Sequence, residues 1–199
     1  NGSYIVLSDS DTGLIKALVG IKYKDNKFSS SVIDMFNSSF TVGSVVKGAS
    51  QYVANIHNVN YKNKVLDGCI KLKSQLPKCS HKSLGYLDTP NALAYSSNFF
   101  QFLNVFEVVG DKYTYNMEFS PDKSYFNKYR YYFSLFGLSN NTGIEIDEVI
   151  GIKGDKVSGD LLLNYVIGQY DTYTPLQLNQ YISTISSGKR VKLSERRRV

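Results

Sequence analysis

Phe40-Thr41-Val42-Gly43-Ser44-Val45-Val46-Lys47-Gly48-Ala49 sets a serine and a lysine three residues apart, directly after a glycine. Ala49, Val53 and Ile56 recur at helical spacing, so a helix is predicted from Ser44 to about His57. Gly43 permits a tight entry into it. Residues at i and i+3 share a helix face, so Ser44 and Lys47 point the same way. A serine hydroxyl is a poor nucleophile until a base takes its proton. A lysine desolvated in a cleft has its pKa lowered toward the range where it does so. Backbone N–H groups at the helix start add stabilisation for a developing oxyanion. The pattern suits acyl transfer through a serine ester.

Spacing alone is a weak signal. With 24 serines and 18 lysines, about two such pairs arise by chance, and three occur. Ser120 of the second pair precedes Pro121, and Ser186 of the third closes a predicted helix, so both read as caps or solvated residues. A second element, Ser96-Ser97-Asn98, has its own decoy in Ser139-Asn140-Asn141, which lies in a turn-forming composition. Singly, each motif reads as surface.

Outward from these motifs the chain opens with two β-rich runs, Tyr4–Leu7 and Leu14–Tyr23, joined through a turn-forming stretch that ends at Gly13. They are predicted to form a hairpin. The polar stretch Asp25–Ser39 is expected to be loop with at most one short helix, and Asn58–Tyr86 irregular with short strands. A second helix starts at Thr89-Pro90, with Pro at the first helical position, and apolar periodicity continues to Gly110. Further helices are expected over Pro121–Leu135, Leu161–Tyr165 and Pro175–Ser186, with Phe136–Lys156 a glycine-punctuated connection. For Thr174 and Gln177 capping and packing are expected, and His57 and His81 default to structural or surface roles. A hairpin followed by a mostly helical body points to α+β.

Composition narrows the function. At 199 residues, with 42% apolar and 20% charged residues, the chain is globular and long enough for one domain. Its net charge of +6 does not indicate a nucleic-acid partner. Lys189, Arg190, Lys192, Arg196, Arg197 and Arg198 against Glu195 place +5 in the last eleven residues, so the rest carries only +1. The tail reads as a solvated end. Cys69 and Cys79, free or paired, are favoured over a metal site, because with His81 they offer three zinc ligands and no fourth. No apolar run approaches the roughly 20 residues that cross a bilayer, and no signal peptide is visible.

Context decides what the short motifs leave open. The Phe40–Ala49 segment resembles the nucleophile segment of class B penicillin-binding proteins, the monofunctional D,D-transpeptidases of cell-wall synthesis. Asn91–Phe100 is similar to their second motif, in a loop between two helices; the first would then span Pro90–Tyr95. Phe136-Gly137-Leu138 with Thr142-Gly143-Ile144, and Gly168–Leu178 followed by Tyr181–Ile185, resemble later segments in the same order. The likeness covers residues 1–193, the larger part of a transpeptidase domain, leaving 194–199 as a basic tail. It is closest to elongation-type enzymes of Gram-positive bacteria. Val42 stands where the family usually has Pro, and the Lys-Thr-Gly motif is missing.

The resemblance implies a penicillin-binding-protein/β-lactamase-like fold, expected to be incomplete at the C-terminus, with the hairpin completing a sheet whose other strands lie outside these residues. It implies Ser44 as nucleophile, Lys47 as its base, Ser96 as proton relay and Asn98 as substrate-binding residue, with no cofactor. Peptidoglycan stem peptides and β-lactams are the implied partners, and cell-wall elongation or division proteins possible further ones. The implied location is the extracytoplasmic face of the cell membrane, with the anchor outside this chain. Two other functions stay open: a non-catalytic scaffold on the same fold, and a β-lactam-hydrolysing or sensing protein, against which the Gly168–Leu178 block argues.

Overall fold

The computed structural model describes residues 2–195; the expected tail residues 196–199 lie outside them. The described residues form two compact units, one of residues 2–41, 133–153 and 171–195, the other of residues 42–132 and 154–170.

The first unit is built on an antiparallel sheet in the order β1 (Gly2–Ser8), β2 (Ile15–Lys24), β3 (Lys27–Ser30). The hairpin expected from Tyr4–Leu7 and Leu14–Tyr23 is β1–β2, with Tyr4 opposite Gly20 and Val6 opposite Leu18. The stretch Asp25–Ser39 holds the one short helix allowed for it, α1 (Asp34–Asn37), but the expected loop before it is corrected, since Lys27–Ser30 forms β3. Asp25 and Asn26 both have positive φ, 50° and 59°, which makes the β2–β3 link a two-residue turn of the type that matches strand twist. Tyr4 and Val6, on one face of β1, pack with Ile15, Leu18 and Val32 against a core of Met35, Phe36, Ile144, Leu176 and Leu193. Ile5, Leu7, Val19 and Ile21 on the other face are exposed.

Helix α7 (Pro175–Ser187) closes this core. Thr174 Oγ1 accepts from Gln177 N while Gln177 Oε1 accepts from Thr174 N, a capping box with Pro at the first helical position, and Gly188 in the left-handed region ends the helix. The capping role expected for both residues is the one found. Ser194 exchanges backbone bonds with the start of β2, its N–H going to Gly13 O and its carbonyl taking Ile15 N. Arg190, expected to be a solvated cation, is exposed and also donates to Gln180 Oε1 at 3.0 Å and to Asn141 O at 2.8 Å.

The second unit contains α2 (Lys47–Ile56), α3 (Thr89–Ala94), α4 (Asn98–Val109), most of α5 (Lys123–Leu135) and α6 (Gly159–Val166). Four two-residue strands lie between α2 and α3: β4 (Val65–Leu66) pairs with β7 (Tyr86–Leu87), and β5 (Cys69–Ile70) with β6 (Lys78–Cys79). Helix α5 begins at Lys123 rather than Pro121, because Asp122 Oδ1 accepts from Ser124 N at its entry. The helix expected over Leu161–Tyr165 is longer at both ends, capped by Ser158 Oγ on Leu161 N.

Helix α4 carries the architecture. It packs on α2 and on α6, with Phe100, Phe102, Val105 and Phe106 buried. Between α2 and α4, buried Gln51 Oε1 accepts from Gln101 Nε2 at 3.2 Å and from Asn104 Nδ2 at 3.0 Å. Ser50 Oγ donates to Val166 O at 2.7 Å, fastening α2 to the end of α6. Buried polar links such as these specify one register where apolar packing would tolerate several.

Candidate active site

The polypeptide between Val42 and Lys47 is not the α-helix start that periodicity suggests. Gly43–Val46 is a 3-10 turn, and α2 begins at Lys47. The Lys47 backbone N–H donates to Ser44 O, closing the turn. In 3-10 geometry residues at i and i+3 fall on the same side of the turn, so the tighter turn keeps Ser44 and Lys47 on one side. Val46 is buried and anchors the turn, while Ser44 is exposed.

Two glycines shape this turn. Gly43 has φ of 59°, and its N–H donates to Gly168 O at 2.9 Å. Gly168 has φ of 77°, and a Cβ there would lie 2.1 Å from Gly43 O. Gly168 thus allows a backbone approach that fixes the residue before Ser44. The sequence placed it in a block after the site; its packing role depends on a partner 125 positions earlier in the chain, which periodicity does not reveal.

The second motif is a helix-end device. Tyr95 closes α3, Ser96 N–H bonds Leu93 O and Ser97 N–H bonds Ala92 O. This is a Schellman ending, and Ser96 holds its left-handed position with φ of 56°, where glycine is the usual occupant. A serine there strains the backbone by about 1–2 kcal/mol relative to its relaxed state. The strain turns the Ser96 carbonyl and hydroxyl toward one cation. Lys47 Nζ donates to Ser96 O at 2.6 Å, to Ser96 Oγ at 3.0 Å and to Asn98 Oδ1 at 2.6 Å. Asn98, expected in the loop, is the first residue of α4. Ser97 is buried and caps α4, its Oγ accepting from Phe100 N at 3.0 Å.

Of the four residues expected in the site, the structure brings Lys47, Ser96 and Asn98 into direct contact. Ser44 stands one turn before Lys47, and none of these three bonds goes to its hydroxyl. Lys47 is 3% exposed. Burial pushes its amine down to about 8, against the opposing pull of the Asp67 carboxylate. About a tenth of it is then neutral at pH 7, against less than one in a thousand for an exposed lysine. An ammonium has three N–H donors, and all three are engaged here. When a proton leaves, one partner must answer a lone pair instead. Ser96 Oγ alone of the three carries a hydrogen to donate, so the arrangement can pass a proton along Lys47 and Ser96.

Two site residues carry no signal in the sequence. Asp67 Oδ1 accepts from Ser80 Oγ at 2.9 Å and from Ser97 Oγ at 2.7 Å. Ser80 Oγ in turn accepts from Asn98 N at 3.1 Å. Cys69 and Cys79, left open between free and paired, form a disulfide. His57, edge-on to Tyr132 at 6.1 Å, and exposed His81 stay outside this cluster's hydrogen bonds.

The strain at residue 96 is measurable. Ser96→Gly is expected to be more stable than Ser96→Ala by about 1 kcal/mol, since both lack the hydroxyl and only glycine relaxes in the left-handed region. Urea denaturation of the two variants side by side checks it; equal stability would contradict the strain.

Residues 3–195 match the penicillin binding protein transpeptidase domain. Penicillin-binding protein H of Bacillus subtilis strain 168 is 34% identical over 190 residues, covering 94% of this chain and 27% of that protein. Penicillin-binding protein 2B of Streptococcus pneumoniae serotype 4 is 31% identical over 196 residues, covering 94% of this chain and 29% of that protein. The chain therefore spans under a third of these relatives' length. The structure of penicillin-binding protein 2B from Streptococcus pneumoniae strain 5204 superposes with a TM-score of 0.90 at 29% identity, over 97% of this chain and 34% of that one. Penicillin binding protein 3 from Mycobacterium tuberculosis, complexed with ampicillin, shares the fold at a TM-score of 0.71 and 20% identity, over 98% of this chain and 42% of that one. By sequence and fold together, the chain belongs to the transpeptidase domain family of penicillin-binding proteins, in its class B branch.

Proposed function

We propose that this chain is the part of a peptidoglycan D,D-transpeptidase that carries the nucleophile, its base and its proton relay. Ser44 Oγ attacks the carbonyl of the penultimate D-Ala of a stem peptide, and its proton passes to the neutral amine of Lys47. A C–O bond forms as the C–N bond to the terminal D-Ala breaks. The proton travels by way of Ser96 to the leaving amine, so charge balances when D-Ala departs. Asn98 holds Lys47 on one side and offers its amide to the substrate backbone. An amine of a neighbouring stem then attacks the ester, forms the cross-link and returns Ser44 to its hydroxyl. A β-lactam acylates Ser44 by the same attack, its ring amide taking the place of the scissile bond.

The observation that carries this reading is the buried Lys47 amine held between Ser96 and Asn98 one turn from an exposed serine. A solvated lysine would have no comparable reason to lose its proton at neutral pH. The disulfide suits an oxidising compartment outside the cytoplasm, in line with a cell-wall substrate. No described helix is long and apolar enough to cross a membrane.

Incubation with a fluorescent penicillin followed by peptide mapping tests the assignment. A stable adduct on the peptide bearing Ser44, lost in Ser44→Ala, is the expected result. No adduct would favour a non-catalytic scaffold, and rapid release of hydrolysed drug a hydrolase.

A further inference from the structure

Asn98 is held from a direction that its own helix does not explain. Its Nδ2 donates to Cys79 O at 3.1 Å and its backbone N–H to Ser80 Oγ at 3.1 Å. Phe99 N–H reaches the same Ser80 Oγ at 3.4 Å, and Phe100 N–H is taken by Ser97. The first three N–H groups of α4 have no partner within the helix, and two of them are satisfied by a residue 18 and 19 positions upstream. The Ser80 hydroxyl is oriented in turn by donating to Asp67.

Asp67 and Ser80 stand at the two sides of one neck. Asp67 lies two residues before Cys69, and Ser80 follows Cys79. The disulfide joins the neck, where Cys69 and Cys79 are directly opposed in β5–β6 at a Cα separation of 4.2 Å. That ladder has only two residue pairs, too few to be stable without a cross-link. On the β6 side, Lys78 Nζ adds bonds to Asn164 Oδ1 at 2.8 Å and to Asp160 at 3.0 Å.

Resting on the roles given above to Asn98 and Lys47, we propose that the disulfide-closed neck is a brace for the site. In it Cys79 and Ser80 are positioning residues that hold Asn98, and through Asn98 the Lys47 amine, in reacting geometry. Neither residue touches substrate. Both cysteines are exposed, so a small dithiol can reach the bridge. The dithiol gives two electrons and two protons: the Sγ–Sγ bond breaks, two S–H groups form, and the reductant closes into its own disulfide. The two-pair ladder, the Lys78 contacts and the Ser80–Asp67 hydrogen bond then hold the Cys79 carbonyl and the Ser80 hydroxyl without a covalent link across the neck.

Two readouts on the intact protein test this. Acylation by a fluorescent penicillin is expected to slow about tenfold or more after dithiol treatment, in Cys69→Ser/Cys79→Ser and in Ser80→Ala, as misplacement of a reacting group predicts. Ser80→Thr, which keeps the hydroxyl, is expected to retain the wild-type rate. Independently, hydrogen exchange at the Asn98 and Phe99 amides is expected to rise about tenfold on reduction while Val105 in the middle of α4 is unchanged. A rate and an exchange pattern unmoved by reduction and by Ser80→Ala would overturn the brace. Faster exchange across Val105 as well would also overturn it, since the bridge would then be stabilising the whole unit. Should the oxidised protein take no adduct at Ser44, the functional reading fails, and the amide exchange still decides whether the neck holds Asn98.

Discussion

Lys47→Met is expected to lower the rate of Ser44 acylation by about 10²–10⁴-fold, the usual contribution of a positioned base. Met matches the length and volume of Lys and removes only the amine. The variant should still fold, because deleting a buried cation also deletes its desolvation penalty. It loses the donor to Ser96 and Asn98 and, on the proposed mechanism, the group that receives the Ser44 proton. Lys47→Arg sharpens the test. A guanidinium keeps the positive charge but does not deprotonate in proteins, so a lysine acting only by electrostatics would be replaced with little loss. The expectation is that Arg is as inactive as Met. Stopped-flow acylation of both variants, with thermal melts to verify folding, distinguishes a base from a counter-charge.

The second large effect is expected at a residue with no functional group. Gly168→Ala places a methyl 2.1 Å from Gly43 O and 2.8 Å from Gly43 N, on a backbone at φ of 77°. The left-handed conformation costs about 1–2 kcal/mol for a residue with a Cβ. The collision adds about 1–3 kcal/mol of overpacking. Backbone atoms cannot rotate away as a side chain does, so the turn carrying Ser44 must move. A displacement near 1 Å at a reacting centre costs about 10²-fold in rate. Gly110→Ala is the control: it has φ of 85° with nothing within 4 Å of the added methyl. It should lose the conformational energy alone and keep its acylation rate. Equal behaviour of the two variants would show that Gly43 and Gly168 are not a constraint on the nucleophile.

How much of this could be read from the chain follows the range of each interaction. Thr174-Pro175 with Gln177 is a local grammar, and it produced the capping box it suggests. The Ser44/Lys47 and Ser96/Asn98 pairs stood out from their decoys because four blocks agreed in order, and Lys47 does meet Ser96 and Asn98 in the fold, although the 3-10 turn was not legible. Asp25-Asn26 is a turn signal that the surrounding polar residues masked, so β3 was missed. Asp67 and Ser80 were invisible for a different reason. Each acts on a residue of α4 through one hydrogen bond that only the folded chain creates, and the stretch between them has no periodicity to place it. The same holds for Arg190, whose partners lie in a separate part of the chain. Local preference marks where elements begin and end; it does not say which distant carbonyl or hydroxyl will be waiting.

On the proposed mechanism Lys47 must be neutral often enough near physiological pH to take the Ser44 proton. Burial disfavours the charged amine, so its neutral fraction, and the acylation rate with it, grows as pH rises through about 8. The direct measurement is the pre-steady-state rate of Ser44 acylation by a penicillin across the alkaline limb. Below pH 8 it should climb about tenfold per unit, then level off above that point. A rate independent of pH, or one still climbing toward the range of an ordinary exposed lysine, would contradict it.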